Sequence, residues 1–189
     1  MSLYSSPLNS YPLIAHRAWL RPMLFALLGL LLTLGLVGCD TVVTNQYEAT
    51  ARVTYTWQVE YRPRGPNPDR PRTGRQEQFA SVSLLNRNGV PPDGAVTGPD
   101  DQGLWWPAVP PRPTVDELEE RLQQRERFEP PQLLKTVKYE ITYQNQGESV
   151  TLPTKHALYR KVVKAYANRH SLKLTLGPNN AFIQKVELQ

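Results

Sequence analysis

A chain of 189 residues has room for one ordinary domain and a targeting piece, but not for several domains. Its formal charge is +5, and with residues 1–38 set aside it falls to +3 (20 basic against 17 acidic side chains), too little for whole-protein nucleic-acid binding. A single cysteine excludes a disulfide framework, so the fold must rest on its hydrophobic core.

Residues 1–38 carry only two charged side chains, Arg17 and Arg21. The 16-residue run 23–38 is apolar except for Thr33, short of the roughly 20 residues a membrane-spanning helix needs. Positive charge before an apolar core and small residues after it are the marks of a signal peptide. The run closes on Leu36, Val37, Gly38 and Cys39. This resembles the lipobox of bacterial lipoproteins: Leu, a small or aliphatic residue, Gly or Ala, then Cys. All four positions match, and the resemblance covers the first 39 residues only. It implies cleavage before Cys39, a diacylglycerol on the cysteine sulfur and an acylated new N-terminus. Several acyl chains, each buried CH₂ contributing about 0.8 kcal/mol, would anchor the protein stably to a membrane. The chain is then exported and faces the periplasm or exterior. Asp40 after the cysteine favours the inner membrane, as in some two-membrane bacteria. Residues 39–47 read as a lipidated tether of at most about 29 Å, and residues 48–189 as a single domain.

The strand over 49–61 is the clearest element: Ala49, Ala51, Val53, Tyr55, Trp57, Val59 and Tyr61 alternate with polar neighbours, so the odd-numbered residues should face a core. Residues 62–75 hold four prolines and five arginines (Arg62, Arg64, Arg70, Arg72 and Arg75) and read as a loop. A second strand follows over 77–85. A second long loop, 86–113, contains the adjacent Trp105 and Trp106, whose rings need cover from their own sheet, a partner or the membrane interface. Pro107 and Pro110 with Arg112 superficially match a polyproline-II ligand.

Thr114 and Glu117 have capping-box spacing and open a helix expected to reach about Phe128, with a Glu117–Arg121 pair one turn apart. Alternation returns over 133–143, a turn at 145–147 leads into 149–152, and a second helix covers 155–168. Short strands at 172–176 and 182–188 close the chain. The predicted fold is α+β, a mostly antiparallel sheet of about six strands with two helices, in the order β-β-α-β-β-α-β-β.

No spacing in the mature chain points to catalysis, a metal site or a cofactor. His156 and His170 lie 14 residues apart, and neither a Gly-x-Ser-x-Gly elbow nor a glycine-rich phosphate loop occurs. The aspartates fall in the tether, in loops or at a helix start. The second helix places Arg160, Lys161 and Lys164 opposite its apolar arc, a surface suited either to plain solvation or to anionic headgroups. The expected function is a non-enzymatic accessory or scaffold lipoprotein, docking on a membrane or envelope complex through basic and aromatic loops. The alternative is a binder of a small hydrophobic or anionic ligand, lined by Tyr55, Trp57, Tyr139 and Tyr159. A hydrolase would need His156 and two carboxylates in one cleft. Nucleic acid is not an expected partner.

Overall fold

The computed structural model describes residues 40–65 and 74–189; residues 1–38, read above as a signal peptide, and Cys39, Arg70 and Arg72 lie outside the described residues. The fold is α+β, with eight strands in antiparallel sheets and two α-helices among the described residues. The strands are β1 (Thr41–Thr44), β2 (Tyr47–Pro63), β3 (Arg75–Arg87), β4 (Glu126–Phe128), β5 (Gln132–Asn145), β6 (Glu148–Thr154), β7 (Leu172–Leu176) and β8 (Ile183–Leu188). The helices are α1 (Val115–Glu120) and α2 (His156–Ala167). One sheet runs β3-β2-β5-β6 with β4 added at the far end of β2; a smaller one runs β1-β7-β8.

β2 organises the larger sheet because its apolar alternation extends over most of its length. Pairing with β5 is unbroken from Tyr47↔Tyr143 to Gln58↔Gln132, which keeps the odd-numbered residues of both strands on one face. Ala49, Ala51, Val53 and Tyr55 are buried there with Ile141 and Tyr143. Tyr159, Val162 and Ala165 of α2 join this core, as do Leu172, Leu174, Leu176, Ile183 and Val186 of the small sheet. Each such side chain contributes on the order of 1.5–3 kcal/mol by leaving water. A second, smaller core gathers Val59, Tyr61 and Leu118.

Between the two cores the alternation weakens. Trp57 is only half-buried, at the point where the β2–β3 register shifts between Thr56↔Ser81 and Gln58↔Gln78. The extra residue on β3 is a bulge. Trp57 turns its indole to the loop, Nε1 donating to the Pro110 carbonyl at 2.9 Å.

Several local expectations are revised. Residues 41–44 are not a free tether but strand β1, paired with β7 from Thr41↔Thr175 to Thr44↔Leu172. The first helix ends at Glu120, with Arg121 as its C-cap, instead of near Phe128. Its capping box forms, Thr114 N donating to Glu117 Oε2 at 2.7 Å, but only Leu118 is buried and Val115 is 59% exposed. So thin an apolar stripe supports little helix. Arg121 pairs not with Glu117 but with Glu77 of β3, its guanidinium 4.0 Å from the Phe79 ring centroid. Arg125, in the left-handed region at φ 63°, redirects the chain into β4.

Ile141 lies inside the main core and Thr136 on the solvent side of the same strand. Ile141→Ala should therefore cost about 2–5 kcal/mol, and Thr136→Ala no more than about 0.5 kcal/mol. Urea midpoints of the two variants check this; equal losses would show the register is wrong.

Candidate functional site

The site is built by the long connection between β3 and α1, which Asn86 and Trp57 fasten to the sheet and Asp100 braces from within. The buried Asn86 amide accepts from Trp105 N at 2.8 Å through Oδ1 and donates to the Trp105 carbonyl at 3.0 Å through Nδ2. Asp100 closes the loop on itself: Oδ1 accepts from Gln102 N and Leu104 N, and Oδ2 accepts from the Trp106 indole at 2.8 Å. Trp57 holds the proline-rich stretch at Pro110, as described above. Charge-assisted bonds of the Asp100 type are the stronger ones, so this loop is braced despite its length.

Between the braced loop and the sheet lies a cleft of about 600 Å³, lined in part by Tyr55, Trp106, Lys135, Val137, Asp101 and Gln102. Tyr55 and Trp106 form its aromatic wall, ring centroids 4.9 Å apart and planes inclined at 34°. The Lys135 ammonium stands 5.4 Å from each of these two centroids. Lys135 occupies an inward-facing position of β5, yet no acidic side chain forms an ion pair with it among the described residues. Asp100 and Asp101 line the same cleft, but neither forms an ion pair with this exposed ammonium, which leaves it able to meet an anionic group on a planar ligand.

The far side of the loop is supported by α2. Tyr139 Oη donates to the Gln102 side chain at 3.0 Å, and His156 Nε2 donates to the Gln102 carbonyl at 3.3 Å. Gly103 sits at φ +74° against the Arg160 guanidinium. Its left-handed conformation favours glycine there. Among the described residues no three His, Cys, Asp or Glu side chains come close enough to hold a metal ion.

The candidate residues are redistributed by these contacts. Trp106 is not offered to a partner; it is 8% exposed and forms the cleft wall. Trp105 is half-buried, and Pro107, Pro110 and Pro113 are buried, so the two prolines of the polyproline match face inward while Arg112 is exposed. Arg62 pairs with Glu60 and Glu129, Arg75 with Glu77 and Glu126, while Arg64 is exposed. Lys161 donates to the Val186 carbonyl of β8, and Arg160 lies over Gly103. That leaves Lys164 as the member of the α2 trio that projects freely among the described residues. Of the expected ligand-lining set, Tyr55 lies in the cleft. Tyr139 and Tyr159 stack beside it, 5.2 Å apart, and Trp57 is engaged elsewhere.

Sequence reasoning missed Lys135, Asp100 and Asn86. For Lys135 a signal existed, since it interrupts the inward phase Leu133, Val137, Tyr139, Ile141. Asp100 and Asn86 carried none, because loop acids and amides look alike until their partners are known.

Comparison of the chain with protein-family models, with curated proteins and with solved structures finds no match in any of the three.

Tyr159 is buried beside the site, and its hydroxyl has no hydrogen-bond partner among the described residues. Burial raises its pKa above the ordinary 10.0; Arg160 opposes this and Tyr139 adds to it. The stability its neutral form contributes is complete below pH 10 and is lost as pH rises through the raised value. Tyr159→Phe removes an unsatisfied polar group and keeps the ring, so it should stabilise the fold by about 1 kcal/mol. The gain should persist, and grow, above pH 10. Thermal melts at neutral and alkaline pH measure both effects.

Proposed function

We propose that the protein is an exported lipoprotein, anchored at a bacterial inner membrane through acyl chains on Cys39, whose domain binds a small planar anion in the cleft at Lys135. The anchor is supported by the lipobox Leu36-Val37-Gly38-Cys39 behind an apolar, arginine-led segment, and the choice of membrane by Asp40. The binding reading is carried by one observation: Lys135 stands unpaired over the Tyr55 and Trp106 rings at the wall of a 600 Å³ cleft. This volume falls in the range of small-molecule sites.

The reading is non-enzymatic. Both oxygens of Asp100 are occupied by donors, and the His156 Nε2 proton is directed at the Gln102 carbonyl, so neither group is poised for proton transfer to a ligand. A scaffold that docks through basic and aromatic loops has weaker support. Arg62 and Arg75 already pair within the domain, and Trp106 is buried.

The test uses the mature lipoprotein in detergent, with benzoate and phenyl phosphate as probes in isothermal titration. Both should bind, and Lys135→Ala should weaken each at least tenfold, about 1.4 kcal/mol. Lys138→Ala, three residues along and on the solvent face, should leave affinity unchanged. Absence of binding by both probes, or equal losses in the two variants, would sink the cleft as a binding site. The mass of the N-terminal peptide from the same preparation reads the anchor, and an unmodified Cys39 would overturn it.

A further inference from the structure

We propose that the turn Pro178–Asn180, together with Phe182, is the surface that rests in the headgroup region of the bilayer, because the lipid anchor is clamped directly to it. The proposal depends on the lipoprotein reading of Cys39. A tether of eight residues would let the domain drift and turn, but the chain provides no such tether. A single residue, Asp40, separates Cys39 from β1. That residue is held at both ends: its carbonyl accepts from Leu176 N at 2.8 Å, and its Oδ2 accepts from Asn180 Nδ2 at 2.9 Å. Adjacent Cα atoms are about 3.8 Å apart, so the lipidated residue cannot leave this end of the small sheet.

The surface found there suits the interface. Residues 176–183 contain no charged side chain. Phe182 is 39% exposed, its ring lying over Gly177, where an added Cβ would meet it at 2.5 Å. Val43 on the adjoining edge strand is 61% exposed, and its register partner is Lys173. Aromatic and apolar groups flanked by a lysine are what a headgroup layer accommodates. The clamp also leaves the cleft open. On α2, Lys161 reaches β8 of the clamped sheet, whereas Arg160 reaches the cleft loop at Gly103, so the two sites lie on different flanks of the helix.

The experiment uses the full lipoprotein in vesicles of phosphatidylethanolamine and phosphatidylglycerol. Asn179→Cys and, as reference, Ser81→Cys on the outer sheet face are each labelled with an environment-sensitive fluorophore; the lipidated Cys39 sulfur cannot react. With nitroxide-headgroup lipid as quencher, the label at 179 should be blue-shifted and quenched several-fold more strongly than the label at 81. A long Gly-Ser insertion between Cys39 and Asp40 should bring quenching at 179 down to the reference. Equal quenching at the two positions, or an insertion without effect, overturns the proposal. The N-terminal peptide mass separates the two ways of failing. Acylated Cys39 with equal quenching refutes only the orientation, whereas unmodified Cys39 refutes the anchor and the orientation with it.

Discussion

The unbroken β2–β5 register is the constraint on which the rest of the molecule depends. With side chains alternating every residue, a slip of one position would turn Ala49, Ala51, Val53 and Tyr55 to solvent and bring Arg52, Thr54 and Thr56 inward. The present register gives α2 a floor of small residues at 49 and 51, so the helix can settle close enough to bury Tyr159 and Val162 completely. The loop over β3 follows from that position, because Gly89 packs directly against Val163. The cleft in turn exists because the loop is held over β2 and β5 at Tyr55 and Lys135 while remaining clear of them on one side.

A connection as long as the one between β3 and α1 is ordinarily a place of motion. Here it is a wall. Asn86 satisfies both backbone groups of Trp105, Asp100 takes three donors, and Trp57 secures Pro110. Most of these bonds join a part-buried side chain to a backbone group of the loop, which is where hydrogen bonds matter most. The ordering entropy of the loop is thus met within the fold, and the binding proposed at Lys135 would not have to supply it.

Much of the fold was legible in the sequence. The 49–61 alternation located β2 and its inward face, the 133–143 alternation located β5, and the 155–168 pattern matched α2 closely. What escaped had physical reasons. Four residues, Thr41-Val-Val-Thr44, are too few to reveal a period, so β1 passed as a tether. α1 was overextended because its capping box is a strong start signal while its stop is tertiary, the capture of Arg121 by Glu77 and Gln78 on β3. β4 is only three residues and exists because Arg125 turns the chain back onto the end of β2. At the site, tryptophans in a polar loop suggested a partner, whereas Tyr55 supplies the cover for Trp106. Lys135 was readable as a misplaced cation, but not its two rings, one of which arrives from a loop some thirty residues away in sequence.

The lipid anchor proposed at Cys39 has a further consequence for the sheet margins. Molecules anchored in a plane meet one another far more often than molecules free in solution, and each carries unpaired backbone donors on its outermost strands, β3 and β6 in the larger sheet and β1 and β8 in the smaller. Such margins are templates for runaway strand pairing. β6 carries Pro153, which lacks a donor; β3 has its bulge opposite Trp57 and carries Arg75, Glu77 and Arg87; β8 bears Lys185 and Glu187. β1, the margin with neither charge nor proline, is the one that the proposed anchor would set beside the lipid itself. On the proposed anchor, the bilayer that crowds these molecules together would also shield the one margin their own sequence leaves unguarded.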